Sequence, residues 1–463
     1  MDYSAANNGL WNPLLQICMM ALVVIIANII RRKVSFIRNS LMPTAVIAGF
    51  LLLIAKLTKI VYVDVELMEM LTYHCIAIGF IAMSLRVPEI SDRDTADHVG
   101  LRSGAIIVSS YLIQGIAGLC VSIGLAYTFM PGFFKAAGIL LPLGYGQGPG
   151  QANNTGSIYE TNWGFAGGRS YGLALAATGY ICACVVGVII LNVLVKRGRI
   201  NKIDHNELSG SVSVDMFQSE SEIPISESID KFSIQMAMVA MVYFVTFLVS
   251  KLITGFLASY LPGVAQLVNG LIWGFNFIVG SAFAFAARAI LSKLKKMKVV
   301  NHQYQNNYLL SRVSGLAFDI MIVAGIASIE IGDLKGLWIP FILMAILGAI
   351  VTYIHLSFLS KIVYKDYYYE GLISMYGMMT GTISSGVLLL REIDPQMKTP
   401  AANNMVVGSS FAILFGIPML VLIGMAPKST LMLFLTFACL AIYYGILLLV
   451  VLKCGKKPKI SEE

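Results

Sequence analysis

The stretch Gly144-Tyr145-Gly146-Gln147-Gly148-Pro149-Gly150-Gln151-Ala152-Asn153-Asn154-Thr155-Gly156 decides how this chain folds. Alternating glycines and one proline oppose a continuous helix, since each interior Gly costs about 0.8 to 1 kcal/mol relative to Ala and Pro about 3. The centre is therefore expected to be extended or looped. The apolar arm before it, Ala136 to Leu143, would reach roughly 12 Å as a helix, against a hydrocarbon core of about 30 Å. It cannot cross. An arm that goes in, breaks and returns exposes backbone N–H and C=O groups at depth, which lipid tolerates only where they are buried in protein or line a watery cavity. Residues 136–159 are thus expected to form a re-entrant hairpin and a binding site, not a Gly-rich surface loop. A second stretch of the same kind, 367–390, sets Gly377, Gly381 and Gly386 among Thr380, Thr382, Ser384 and Ser385.

Composition agrees with a membrane setting. The 463 residues are 57% hydrophobic and 13% charged, with a mean hydropathy of +0.78. That is an integral membrane protein, with no soluble domain of useful size. The net charge of +8 does not point to nucleic acid, because Lys and Arg cluster at the ends of apolar runs, as membrane topology requires. Six of the seven cysteines (Cys18, Cys75, Cys120, Cys182, Cys184, Cys439) lie in apolar runs, and Cys454 lies in the tail. They suggest neither a disulfide framework nor a metal site. The first apolar run, Pro13 to Ile30, has no basic n-region and no small-residue cleavage site, so it is expected to be a retained span.

Eleven spans are expected from apolar runs of about 17 residues or more. Those in the first half, 1–195, are Pro13 to Ile30, Leu41 to Leu57, Val65 to Leu85, Ser103 to Phe129 and Ser170 to Val195. A polar stretch, 196–231, resembles a cytoplasmic linker. The second half, 232–463, holds Phe232 to Leu257, Val264 to Leu291, Leu309 to Ile331, Leu334 to Ser360, Pro400 to Gly424 and Ser429 to Leu452. With the N-terminus outside, the C-terminus cytoplasmic and both hairpins returning to the side they came from, the 33 Lys and Arg divide 26 inside to 7 outside. Turning either hairpin into a full span would push a basic cluster outward. The first hairpin would then open outside and the second inside, giving two halves of inverted topology, the recurrent plan of secondary transporters. Ala152-Asn153-Asn154 and Ala402-Asn403-Asn404 form a faint local echo between the halves.

At these residues the chain resembles the bacterial glutamate:sodium symporter family. The likeness lies in the two halves, the paired Gly-rich hairpins, and Tyr376-Gly377-Met378-Met379-Thr380-Gly381-Thr382 followed by Leu389-Leu390-Arg391-Glu392-Ile393-Asp394-Pro395. It covers nearly the whole chain as architecture. The first hairpin departs from the better-known members, which carry a Gly-Gly-His-Gly-Thr type sequence there, and so leaves the solute undefined. The resemblance implies sodium-driven symport of glutamate or a related acidic amino acid or dicarboxylate, in a homodimer of the bacterial cytoplasmic membrane. In that picture a transport domain carrying both hairpins moves, elevator-like, against a scaffold. Another organic anion such as citrate is the alternative cargo. A passive channel fits oppositely directed hairpins less well. No phosphate-loop, His-Glu-x-x-His or Gly-x-Ser-x-Gly motif suggests an enzyme or an organic cofactor.

Carboxylate donors are expected from broken-hairpin N–H groups and from Gly146, Gln147, Gly148, Asn153, Asn154, Thr380, Gly381, Thr382, Ser384 and Ser385. Arg391, which follows the second arm, could grip a carboxylate through two parallel bonds or serve as a cytoplasmic boundary charge. Sodium, a hard ion, is expected to take oxygens from Asn153, Thr155, Asp319, Thr382, Asn403 and Asn404. Asp319 qualifies because an ionisable group inside a span costs about 2.5 to 3.5 kcal/mol to insert. Asn269 and Asn276 are expected to join helices, Lys56 to snorkel, Glu66 and Glu69 to sit at a watery helix end, and His355 to pack. The small-residue runs Gly104 to Gly118 and Gly270 to Ala287 allow close helix approach, within a protomer or between protomers.

Overall fold

A computed structural model describes residues 2–35, 37, 42–87, 93–200, 230–260, 272–273, 276–299, 302–394 and 399–453. The helices are α1 (Asn8–Lys33), α2 (Thr44–Leu57), α3 (Val65–Leu85), α4 (Arg93–Tyr127), α5 (Leu140–Tyr145), α6 (Pro149–Trp163), α7 (Gly168–Ile181) and α8 (Gly187–Lys196). They continue with α9 (Lys231–Tyr260), α10 (Asn276–Lys296), α11 (Asn307–Ala327), α12 (Trp338–Val363), α13 (Tyr368–Thr380), α14 (Ile383–Arg391), α15 (Ala401–Met425) and α16 (Thr430–Lys453). In lipid every backbone polar group needs an internal partner, and helices supply one within each segment.

The described parts of all eleven expected spans fall on helices, and they divide by length. Among the described residues nine helical stretches are long and apolar enough to cross a bilayer, and α15, bent by 46°, makes a tenth. The remaining one, α2, has 14 residues and reaches only about 21 Å. Residues 264–271 and 274–275 of the expected seventh span, with Asn269, lie outside the described residues, as do 201–229 of the linker and Arg38, Lys202, Cys454 and Pro395 to Lys398. One crossing, α7 to α8, is continuous through a π-helical turn at Cys182–Val186.

The hairpins depart from the expected form in one respect. The loop in the first is confined to Gly146–Gly148, and Pro149 begins α6 instead of ending a helix. The reason is positional: proline's fixed φ suits the first turn of a helix, where its missing N–H removes nothing. Lys135–Ile139 forms a 3-10 turn ahead of α5. In the second hairpin only Gly381 and Thr382 separate α13 from α14. The longest of the arms, α6, has 15 residues, about 22 Å of helix, so none spans a bilayer alone.

The chain forms two compact units, and both hairpins belong to the first, residues 1–68, 91–203 and 325–463. Here α4 is the hub, packed by α12, α15, α16 and the 3-10 turn. Small residues let backbones touch. Gly118 meets the backbone of Gly138, and a Cβ on Gly408 would stand 2.8 Å from Ser103 Cβ. The small-residue run of α4 therefore serves packing inside the protomer. Beside it, α7 runs along the first hairpin: a Cβ on Gly156 would lie 2.6 Å from Gly168 O, one on Gly172 2.8 Å from Ala152 O, and one on Gly144 2.9 Å from Ala176 N.

The second unit, 69–90 and 204–324, has its own core of Ile81, Ala82, Leu85, Val239, Val242, Ala284, Leu310 and Val313. Gly280 again permits close packing, with its Cβ position 2.8 Å from Ile81 Cδ1. Asn276 gives its amide to Tyr243 Oη at 3.3 Å, joining two helices as expected.

Candidate functional site

The first hairpin turns on backbone conformation. Gly148, at φ +84° and ψ −176°, caps the N-terminus of α6, an extended positive-φ conformation open essentially to glycine alone and costing an L-residue roughly 1–3 kcal/mol. Gly146 presses against the ring of Tyr111, and its Cβ position lies 3.2 Å from Gln114 Oε1. Tyr145 anchors the arm by donating its hydroxyl to Ala345 O at 2.6 Å on α12. In the second hairpin the arms close on each other where a Cβ on Gly377 would be 2.9 Å from Gly386 Cα. Thr382 then caps α14 without a side-chain hydrogen bond.

The two breaks meet. The Cβ position of Gly148 is 4.0 Å from Thr382 Cγ2 and 3.5 Å from Tyr180 Oη. Gly179 of α7 fits against Thr380 O, and its Cβ position lies 3.3 Å from Tyr145 Cα, so that helix touches both hairpins. Gln114, in the middle of α4, ties them from another side. Its Nε2 donates to Met379 O at 3.0 Å in the second hairpin and to Thr352 Oγ1 at 2.7 Å, while its Oε1 faces Gly146 of the first.

Electrostatically, two helix N-termini, those of α6 and α14, start at this junction. Their first-turn N–H groups have no partner inside the helix and carry a partial positive charge. Around them is a concentration of buried polar atoms without a hydrogen-bond partner among the described residues. These atoms are Gln114 Oε1, both Oε1 and Nε2 of Gln151, Asn153 Oδ1, Thr155 Oγ1, Tyr376 Oη, Thr382 Oγ1 and Ser385 Oγ. Each such atom costs about 1–3 kcal/mol when left unpaired, and native folds leave few. The donors suit a carboxylate. The amide and hydroxyl oxygens suit sodium, a hard cation.

Of the residues expected from the sequence, the structure brings Gly146, Gln147, Gly148, Thr380, Gly381, Thr382 and Ser385 to the two breaks, with Asn153, Asn154 and Thr155 in the next turn of α6. Thr380 spends its hydroxyl donor on Tyr376 O at 2.8 Å. The side chain of Ser384 lies outside the described residues. Arg391 is exposed in the last turn of α14, about 13.5 Å of helix from Thr382. Asp319 is exposed on α11 in the second unit. Asn403 is exposed, and Asn404 gives its amide to Tyr367 Oη at 2.7 Å, at the start of the second hairpin.

Lys56 has partners at its helix end: its Nζ sits 2.6 Å from Glu330 Oε1 and 3.3 Å from the carbonyls of Ala327 and Ile329, capping the end of α11. His355 packs as expected, between Tyr444 Oη and Ser109 Oγ, each at 3.1 Å. Sequence reasoning missed Gln114, Gln151 and Tyr376. A clue existed for Gln114, a lone amide deep in an apolar span, which lipid tolerates only when it is partnered inward.

Among the described residues the chain is an all-helical, multi-pass membrane protein in which two hairpins meet tip to tip, with helix N-termini and orphaned oxygens at the junction. The sodium/glutamate symporter family model matches residues 11–380, and the chain belongs to that family. It is accordingly a sodium-coupled transporter of the glutamate kind, with a small anionic substrate and Na+ as coupling ion, and its family is one of transporters and not of enzymes. The match covers the whole first hairpin and ends at Thr380, the tip of the second. Comparison with curated proteins returned no match.

Proposed function

We propose that the junction of the two hairpins is the transport site, and that the chain is a symporter of glutamate or a close acidic relative working by alternating access. The carrying observation is the group of buried, unpartnered polar atoms around the breaks. The substrate carboxylates accept hydrogen bonds from the first-turn N–H groups of α6 and α14, from Gln151 Nε2 and from the hydroxyls of Tyr376 and Thr382. Sodium takes the oxygens of Asn153, Thr155, Thr382 and Ser385 together with backbone carbonyls freed at the breaks. Neither ion binds well alone, because each leaves the other's partners unsatisfied. That is the physical basis of coupling.

In this reading the hairpins dip into the membrane from opposite faces, within two halves of inverted topology. The part that holds both of them moves as one body in a homodimer, with the C-terminus cytoplasmic. Each net positive charge carried inward gains roughly 2.3 kcal/mol per 100 mV. Proteoliposomes with an imposed inward sodium gradient test it. Accumulation of labelled glutamate above equilibrium, abolished when the gradient is collapsed, is expected. Uptake indifferent to sodium, or uptake that only equilibrates, would count against symport and favour a uniporter or channel.

A further inference from the structure

The geometry points to a second binding site, in the unit that holds neither hairpin, for the phosphate headgroup of an anionic phospholipid. A cavity of about 250 Å³ opens beside the Lys-rich end of α10, lined by Arg288, Ser292, Lys295, His302, Gln303 and Tyr304 among others. Two permanent cations, one imidazole and several neutral donors face it, and none of its lining residues is an Asp or Glu. Arg288 is held in place from behind. Its Nη1 donates to Arg86 O at 2.8 Å and Ser84 O at 3.3 Å, at the end of α3. Two of a guanidinium's five N–H donors account for those bonds, and the fork geometry suits phosphate oxygens with the rest.

What favours a lipid over a soluble phosphate is the surface around the opening. Val87, Ala289 and Leu291 add apolar side chains to the lining, Tyr304 of the lining is 38% exposed, and Ile290, Met297 and Val299, in or just after the last turns of α10, are 59%, 61% and 65% exposed, apolar surface at the end of a membrane helix along which acyl chains can lie. Basic pockets at the membrane surface are where acidic headgroups collect, each Lys or Arg contributing ~1 kcal/mol.

The test is native mass spectrometry of the full-length protein titrated with phosphatidylglycerol or phosphatidylcholine. Wild type should retain phosphatidylglycerol selectively. Lys295→Gln should weaken that retention about fivefold, the equivalent of ~1 kcal/mol, and Lys293→Gln, on the same helix end outside the cavity, should leave it unchanged. Arg288→Gln endangers the fold through the α3 carbonyls, so Lys295→Gln carries the decision, its melting temperature checked against wild type. Equal loss in Lys293→Gln, or equal retention of phosphatidylcholine, would overturn a built site. Displacement of phosphatidylglycerol by millimolar inorganic phosphate would assign the cavity to a soluble anion and overturn the lipid reading.

Discussion

Gln151→Leu is the most revealing substitution, because the two sides of its effect have opposite sign. Gln151 is 1% exposed, and neither its Oε1 nor its Nε2 has a partner among the described residues. An unpaired buried polar atom costs about 1–3 kcal/mol, so replacing two of them by apolar groups of similar volume should leave the substrate-free protein at least as stable as wild type. Binding responds in the other direction. A hydrogen bond to a charged group is worth about 1.5–3 kcal/mol, so losing one to a carboxylate should raise the KM for glutamate by roughly 10- to 150-fold. The assays are thermal unfolding in detergent, with and without glutamate plus sodium, and initial-rate uptake in proteoliposomes. Expected are an unchanged or raised Tm without ligands, a smaller Tm gain on adding them, and a raised KM. A lowered Tm together with a wild-type KM would refute the reasoning, since Gln151 would then be a structural amide whose partners had been overlooked.

Gly148→Ala should also impair uptake, since φ +84° with ψ −176° costs an alanine roughly 1–3 kcal/mol; a rise in KM of about 5- to 150-fold is the measure, and a neutral substitution would mean the break does not depend on glycine. Gln114→Leu removes the bonds to Met379 O and Thr352 Oγ1 and should lower Tm by the loss of about 1–3 kcal/mol, while accelerating protease cleavage at the second hairpin. Lys56→Met leaves Glu330 and two carbonyls without their cation, and a stability loss of about 1–3 kcal/mol in denaturant unfolding is expected. Arg391→Ala separates a gripping arginine from a boundary one: exposed charges are worth under ~1 kcal/mol, so KM should change by less than about fivefold, and a hundredfold rise would restore Arg391 to the site.

Much of this architecture was legible because lipid simplifies the rules. Apolar run length marked the nine long helices and the bent α15, though not that α2 would stop at 14 residues, and glycine density marked both breaks. What escaped depended on position within an element or on remote partners. Pro149 reads as a breaker by propensity, yet as the first residue of α6 it starts a helix. Lys56 and Glu330 are far apart in the chain, so only folding could show that the lysine caps α11. Arg391 lies close to Thr382 in sequence, but a helix of nine residues holds it away from the break. Gln151 stood in plain view in the Gly-rich stretch. Its significance lies in partners it lacks, which sequence does not display. Gln114 needed the reverse, knowledge of which two segments its amide would join.

The most direct measurement is accessibility at the two tips. With native thiols replaced, single cysteines at positions 147 and 382 would be titrated with a membrane-impermeant maleimide, on intact and on inside-out vesicles. Expected is labelling of both positions from an aqueous side, slowed severalfold at both by glutamate and sodium together and little by either alone. Two cysteines that never react from either compartment, or that react at rates blind to both ions, would contradict a transport site built where the hairpins meet.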